Sequence, residues 1–470
     1  MDHNRHGHEM ASSLSFGRTS STGSSVRRHS LNQTALMPLN IDDNMDSESV
    51  SEAGDVGDRA LHSRHYSLSG SLRFDSNPSE NGTVFPIQDT LLHGYGSLSD
   101  NPGLLHIGSL VAPPAVEIIS RAPINALSDR PDETKDELEP LPLWMEYCSS
   151  LTHLAVFGIL GVLTRYLLQK LFGPSVAQLT SDGTVLYLDL PSNMVGSFLM
   201  GWFGIVFKKD ISKISDYLAI GLSTGYLGSL TTFSGWNQKM LDLSLHGKWH
   251  LSFLGFLLGL FLSAYSIICG IETAKGFRRL IRSTKGGSGE NSRTTNSWRV
   301  DTFKRHIASI VVMLLLLGLL WAISGTLLEE EFDDHGSEAQ LWLACIVGPA
   351  GVWIRWFLAR LNGRGLGKTG SLKWVPFGTL IANVSAACVM AALATTKKAV
   401  NSKNCNIIAT GIQFGLMGCL STVSTLMAEF NAMRESQHPW RAYAYAIFTI
   451  ALSFGLGVLI YDVPVWAKGY

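Results

Sequence analysis

Four side chains stand in apolar surroundings where a polar group is costly. Asn193 lies in LPSNMVGSFLMGW and Asn383 in GTLIANVSAACVM, while Arg165 lies in GVLTRYLL and Arg355 in GVWIRWFL. An amide in hydrocarbon must be hydrogen-bonded, so each asparagine is either glue between helices or a donor to an anion. A buried arginine either snorkels to an interface or raises the local anion concentration at a vestibule. No acidic residue lies within a turn of either arginine, which favours the anion reading. Two related stretches complete the set, TGYLGSLTTFSGW at 224–236 and FGLMGCLSTVSTL at 414–426. Glycine frees the backbone and Ser/Thr offer local hydrogen bonds, so a helix is expected to unwind there. Unwinding releases carbonyls toward a cation and exposes helix ends that favour ions. The competing reading is a close helix crossing through Gly221-x-x-x-Gly225 and Gly411-x-x-x-Gly415. Phe233 and Trp236 share a helix face at i, i+3, beside Thr232 and Ser234, and aromatic edges carry positive charge that could meet a dehydrated anion.

The elements that must position these residues are membrane spans. The 470-residue chain is 46% hydrophobic and 16% charged, with net charge −1; that balance gives no case for nucleic-acid binding, which needs a basic excess. Residues 1–140 are rich in Ser, His, Asn and Asp, lack a signal-peptide h-region, and are expected to be a disordered cytoplasmic region. Apolar runs of about 20 residues, the length that crosses a bilayer, recur from 148 onward. They fall near 148–171, 185–207, 217–238, 249–271, 304–328, 340–361, 374–396, 405–430 and 440–463, nine in all. The six cysteines fall in or beside these runs without CxxC spacing and read as small apolar packing residues.

Adding 190 to a residue number in the first four runs lands on its counterpart in the last four. Arg165 pairs with Arg355, Asn193 with Asn383, Gly228 with Gly418, Thr232 with Thr422, Ser234 with Ser424, and Ser263 with Ser453. The expected fold is therefore all-α and polytopic: two four-helix repeats, 148–271 and 340–463, joined by a linking transmembrane helix at 304–328. A basic cytoplasmic loop, 272–303, precedes that helix. An odd helix between the repeats inverts the second, and Lys and Arg are concentrated in the loops that this topology places inside. The N-terminus is then cytoplasmic and the C-terminus extracellular. Inverted repeats place substrate sites near the midplane at their interface, where broken helices are tolerated.

The arginine in GVLTRYLL, the asparagine in NMVGSFLMG and the stretch GYLGSLTTFSGW together resemble the fluoride channel family (CrcB/Fluc in bacteria, fluoride export proteins in eukaryotes) over residues 148–463. The fused nine-helix layout resembles the eukaryotic form, which joins two halves that bacteria assemble as an antiparallel dimer. The resemblance implies passive, fluoride-selective efflux through a plasma membrane, and a chain that works singly. It implies pore amides at Asn193 and Asn383, and a fluoride-contacting ring at Phe233 with Trp236 where a second Phe is expected. Thr232, Ser234, Thr422 and Ser424 border the pore by position, and Ser263 and Ser453 correspond to a polar track on the fourth helix. Carbonyls of Gly228, Thr231, Gly418 and Ser421 correspond to positions that hold a structural sodium ion; no organic cofactor is implied. Repeat two departs from the pattern, with Val423 and Leu426 in place of the rings and Ser421 in place of the first Thr, which implies two unequal pores.

The nearest rival is a proton-coupled anion exporter on the same scaffold. The spans offer few groups to relay protons, since Asp242, Glu272 and Glu429 sit at span ends. A membrane enzyme needs paired carboxylates, HExxH or a Ser/His/Asp set, and none is present in the sequence, so the chain is not expected to be an enzyme. RRHS at 27–30 fits a basic-directed phosphorylation site, and the sequons at Asn32 and Asn81 would face the cytoplasm unused.

Overall fold

The computed structural model describes residues 142–284, 303–333, 338–362, 372 and 374–469. The disorder, phosphorylation and sequon expectations for the first 140 residues lie outside the described residues, as does most of the expected basic loop, 285–302.

Every element among the described residues is helical. Repeat one comprises α1 (Leu143–Phe172), α2 (Leu190–Trp202), α3 (Asp216–Ile220), α4 (Phe233–Leu245) and α5 (Trp249–Thr284). The linking helix is α6 (Phe303–Asp333). Repeat two comprises α7 (Ala339–Ala359), α8 (Phe377–Val400), α9 (Lys403–Ile412), α10 (Val423–Glu435) and α11 (Trp440–Gly457). Eight helices among the described residues are long and apolar enough to cross a membrane. The expected third span, 217–238, is not one of them. It is an interrupted stretch from Asp216 to Leu245 that carries Ser223, Thr224, Ser229, Thr231, Thr232 and Ser234. The loop expected to open at 272 is helical as far as Thr284; its Glu, Lys, Ala and Arg are good helix formers, so the fourth helix of repeat one runs on past its apolar part.

The two repeats run in opposite directions. Near the start of α1, the Trp353 indole donates to the Leu151 carbonyl at 3.0 Å. In the middle, Gly348 lies against Val162. At the far end Tyr166 donates to Glu338, which Lys170 also approaches at 3.1 Å. Residue numbers rise along α1 as they fall along α7, so these first helices are antiparallel. The linking helix α6 packs on both of them, yet its most apolar window is only 11% buried. Leu315 and Leu319 point outward.

The third segment of each repeat is broken at the same place. After α3 the chain widens into a π-helical stretch, Gly221–Leu227, makes one turn at Gly228–Leu230, then extends at Thr231 and Thr232 before α4. After α9 it repeats the course: Gln413–Met417, Gly418–Leu420, then extension at Ser421 and Thr422 before α10. Each helix restarts on a threonine cap, with Thr232 Oγ1 accepting from the Gly235 N–H at 3.2 Å and Thr422 Oγ1 from the Thr425 N–H at 3.4 Å. A hydroxyl that satisfies an orphan N–H makes the restart stable. Close packing and unwinding thus occur in succession along one segment. Gly161 of α1 seats the approach to the first break, since a Cβ there would meet the Tyr226 carbonyl at 2.6 Å and Leu230 N at 3.0 Å.

Candidate functional site

The two breaks cross and their hydroxyls interlock. Thr231 Oγ1 lies 3.1 Å from both Thr422 Oγ1 and Ser424 Oγ, and accepts from the N–H groups of Val423 and Ser424 at 3.2 and 3.1 Å. Ser421 answers it, with Oγ 3.2 Å from Thr232 Oγ1 and 2.8 Å from Ser234 Oγ, accepting from the Ser234 N–H at 3.0 Å. Ser424 Oγ donates to Leu227 O and Ser234 Oγ to Met417 O, both at 3.2 Å. Apart from the Val423 N–H bond, each of these contacts maps onto its mate by the 190-residue offset, the reciprocity of a two-fold interface. The first N–H groups of α4 and α10 are therefore capped by the opposite repeat.

The sequence-singled asparagines hold the breaks in shape. Asn193 Oδ1 accepts from the Thr232 N–H at 2.9 Å and its Nδ2 donates to Thr232 O at 3.2 Å. Asn383 does the same for Thr422, at 2.8 and 3.1 Å. Both amides are fully buried and close on extended backbone that has left the helix ladder. Asn193 also donates to the Tyr187 hydroxyl at 3.1 Å, a bond that Phe377 at the matching position cannot offer. Sequence reasoning overlooked Tyr187 because it precedes α2, outside any polar motif.

The arginines reach across rather than snorkel. Arg355 donates from Nε to Cys419 O at 2.8 Å and from Nη2 to Thr224 O of the other repeat at 2.7 Å. Arg165 donates from Nη2 to Phe414 O of the other repeat and lies over the Phe414 ring, with Cζ 4.4 Å from its centroid. Its Nε and Nη1 are buried without partners. Each guanidinium rests on the glycine that opens the turn before a break. A Cβ on Gly418 would lie 2.7 Å from Arg165 Nη2, and one on Gly228 would lie 2.5 Å from Arg355 Cζ.

Phe233 and Trp236 are fully buried and meet edge to face, with centroids 5.8 Å apart and planes at 80°. The indole donates to Gly255 O at 3.3 Å and stacks on Tyr187 at 6.0 Å and 7°. Trp236 is thus wedged against α5, whose Gly259 leaves room for the ring. At the corresponding sites, Val423 and Leu426 are equally buried but aliphatic. Ser263 and Ser453 are both fully buried, and neither hydroxyl has a partner.

The carbonyls of Gly228, Thr231, Gly418 and Ser421 supply only oxygen, which suits a hard cation. Thr231 and Ser421 are extended, at φ −101°, ψ 145° and φ −87°, ψ 156°. Their carbonyls are therefore turned off the helix axis, and the residues fit such a group.

Two cavities flank the crossing. One, of about 950 Å³, is lined by Arg165, Gln169, Asp189, Thr232, Lys239 and Phe414 among others. The other, of about 20 Å³, is lined by Thr224, Arg355, Ala359, Gly378, Thr379, Thr422 and Thr425. Every residue of the small cavity has its 190-offset mate in the large one. Beside the large cavity Lys239 bonds Asp182 at 2.6 Å. In the second repeat Glu429 stands at the matching position, fully buried, accepting from Thr379 Oγ1 at 2.5 Å and from Tyr445 OH at 2.8 Å.

The sequence profile of the CrcB-like protein, Camphor Resistance (CrcB) family matches residues 152–271 and again 342–461, together half of the chain. A protein of Shewanella frigidimarina named fluoride-specific ion channel FluC is 34% identical over 120 residues, 25% of this chain and 88% of that protein. One of the same name from Geobacter metallireducens is 32% identical over 126 residues, 27% of this chain and 97% of its own. Fluoride-specific ion channel FluC 2 of Ligilactobacillus salivarius is 35% identical over 125 residues, 26% of this chain and 87% of its own. No solved structure matches significantly. With the family profile found once in each of two antiparallel repeats, this polytopic, all-helical membrane chain belongs to the CrcB-like family.

Proposed function

We propose that the chain is a fluoride-selective channel of the plasma membrane that lets cytoplasmic fluoride escape and so confers fluoride resistance. The observation that carries this reading is the reciprocal crossing of the two breaks, which sets Phe233, Asn193 and a knot of hydroxyls in a seam closed to lipid. The names of the bacterial relatives supply the anion. Fluoride is small and strongly hydrated, and hydroxyl hydrogens with the positive edge of Phe233 replace part of its water. An inside-negative potential drives an anion outward with about 2.3 kcal/mol per charge per 100 mV, so no coupled reaction is needed. The N-terminus lies inside and the C-terminus outside, which puts the wide, lysine-bearing cavity on the outer face. The two repeats replace a dimer, and one chain suffices.

A sodium ion would be held by the carbonyls of Gly228, Thr231, Gly418 and Ser421, where it would supply a fixed positive charge at the crossing of the breaks. Asn193 and Asn383 bond the extended backbone of Thr232 and Thr422 beside those carbonyls.

The test is ion flux from liposomes holding the purified chain, with chloride as control. Fluoride should leave at a rate that follows the imposed potassium diffusion potential, unchanged in symmetrical pH. Chloride release at the same rate, or fluoride release only under a proton gradient, would overturn the proposal.

A further inference from the structure

The helix that closes repeat one overruns the bilayer. α5 packs closely on α2, where a Cβ on Gly201 would lie 2.7 Å from the Ile267 carbonyl and 2.9 Å from Ile271 N. Aromatic groups mark where it meets the two membrane surfaces. At its start Trp249 lies 6.0 Å from Trp466, and both rings are exposed. Nearer its other end, the Trp202 indole of α2 donates to Thr273 Oγ1 at 2.9 Å, and its ring lies 5.3 Å from Phe277. An indole, with an apolar body and a polar tip, settles at the headgroup level. Between Trp249 and Thr273 the helix rises about 36 Å, already more than a hydrocarbon core of about 30 Å. The turns from Phe277 to Thr284 therefore stand among the headgroups.

Those turns are amphipathic. Phe277, Leu280 and Ile281 are exposed and fall at i, i+3 and i+4, a single apolar stripe. Arg278 and Arg279 flank it. Among the described residues neither arginine has an ion-pair partner, whereas Lys275 is held by Glu272 at 3.2 Å. Arg282 and Lys285 follow in the sequence. The matching positions at the end of repeat two, which face the other leaflet, carry Lys468 and Gly469. The paired arginines thus belong to one side of the membrane.

We infer that this end of α5 is a seat for an anionic phospholipid of the cytoplasmic leaflet. The acyl chains lie along Phe277, Leu280 and Ile281, and the phosphate lies in the forks of Arg278 and Arg279. A guanidinium fork meets two phosphate oxygens at once, and a basic cluster at the cytoplasmic edge of a span complements an anionic leaflet. Which leaflet it is rests on the topology of the channel reading above; the seat itself does not.

The experiment equilibrates the full chain, purified in detergent, with mixed micelles holding phosphatidylserine and phosphatidylcholine in equal amounts. Mass spectrometry then counts the lipid that stays with the captured protein. Wild type should retain phosphatidylserine over phosphatidylcholine by about tenfold or more, and Arg278→Gln and Arg279→Gln should each lower that ratio about fivefold, the worth of one basic residue at an anionic surface. Arg434→Gln, a neutralised arginine on the same side of the membrane, should leave it unchanged. If the double variant gives no single gel-filtration peak, the two single variants decide. An unchanged ratio in the arginine variants, or an equal loss in Arg434→Gln, overturns the seat. So does displacement of the bound lipid by equimolar glycerophosphoserine, which has the headgroup without the tails. No arm reads fluoride flux, so a failed seat and a failed channel reading remain distinguishable.

Discussion

The large and the small cavity are one design written twice and kept open once. Every residue that lines the small cavity has its counterpart in the large one, yet they enclose about 950 and about 20 Å³. Gln169 faces the first where Ala359 faces the second, and Asp189 stands where Thr379 does. Lys239 occupies the rim of the open end, while Glu429 at the matching position is drawn inward by Thr379 and Tyr445. A buried carboxylate held by two hydroxyls is a poor neighbour for an anion, and a partly exposed lysine is a better one. The seams differ in the same sense, with Phe233 in one and Val423 in the other. Symmetry of the backbone has thus outlived symmetry of the chemistry.

That contrast can be broken most severely at its asparagines. Asn193→Ala strands the N–H and C=O of Thr232 in a dry interior and should cost about 3–5 kcal/mol, counting about 1–3 per orphaned group. Asn383→Ala should cost about 1 kcal/mol less, because Asn383 has no bond like that of Asn193 to Tyr187. Urea unfolding in a mild detergent, read by tryptophan fluorescence, measures both. Next comes Phe233→Val, which gives the first seam the second seam's residue. Fluoride efflux should fall on the order of tenfold or more, about 1.4 kcal/mol per decade, while Val423→Ala leaves efflux unchanged. Equal losses would show that both seams conduct.

Arginine-to-lysine changes sharpen the comparison at the crossing itself. Arg355 makes backbone bonds from two nitrogens and Arg165 from one. Arg355→Lys should therefore be the more destabilising by about 1 kcal/mol, the worth of one hydrogen bond, as melting temperatures can show. The smallest effect is expected at the rim. Lys239→Glu should slow efflux only a few-fold, and more at low than at high ionic strength, because exposed charge is screened.

Much of this was legible in the sequence, for reasons tied to particular residues. The 190-residue offset foretold the reciprocal contacts, and Ser and Thr at 231–234 and 421–424 foretold the breaks because such side chains cap restarted helices. What the arginines hold was not legible. Their partners are carbonyls of Thr224, Phe414 and Cys419, and a carbonyl leaves no mark on the residue type that carries it. The third run of repeat one reads as a full span with a break in it, whereas its many Ser and Thr residues leave it outside the helices apolar enough to cross. The inequality of the cavities depends on how several substitutions pack together, and no single motif records that.

The linking helix has a bearing on how such inequality could arise. Because α6 packs chiefly on the two antiparallel first helices and otherwise largely faces outward, it acts as a tether rather than a wall. In a pair of identical chains every substitution strikes both halves at once, and a change that ruins one passage ruins its twin. A tether that fixes which half meets which releases each from that bondage. One copy is then free to decay into scaffolding while the other keeps the traffic.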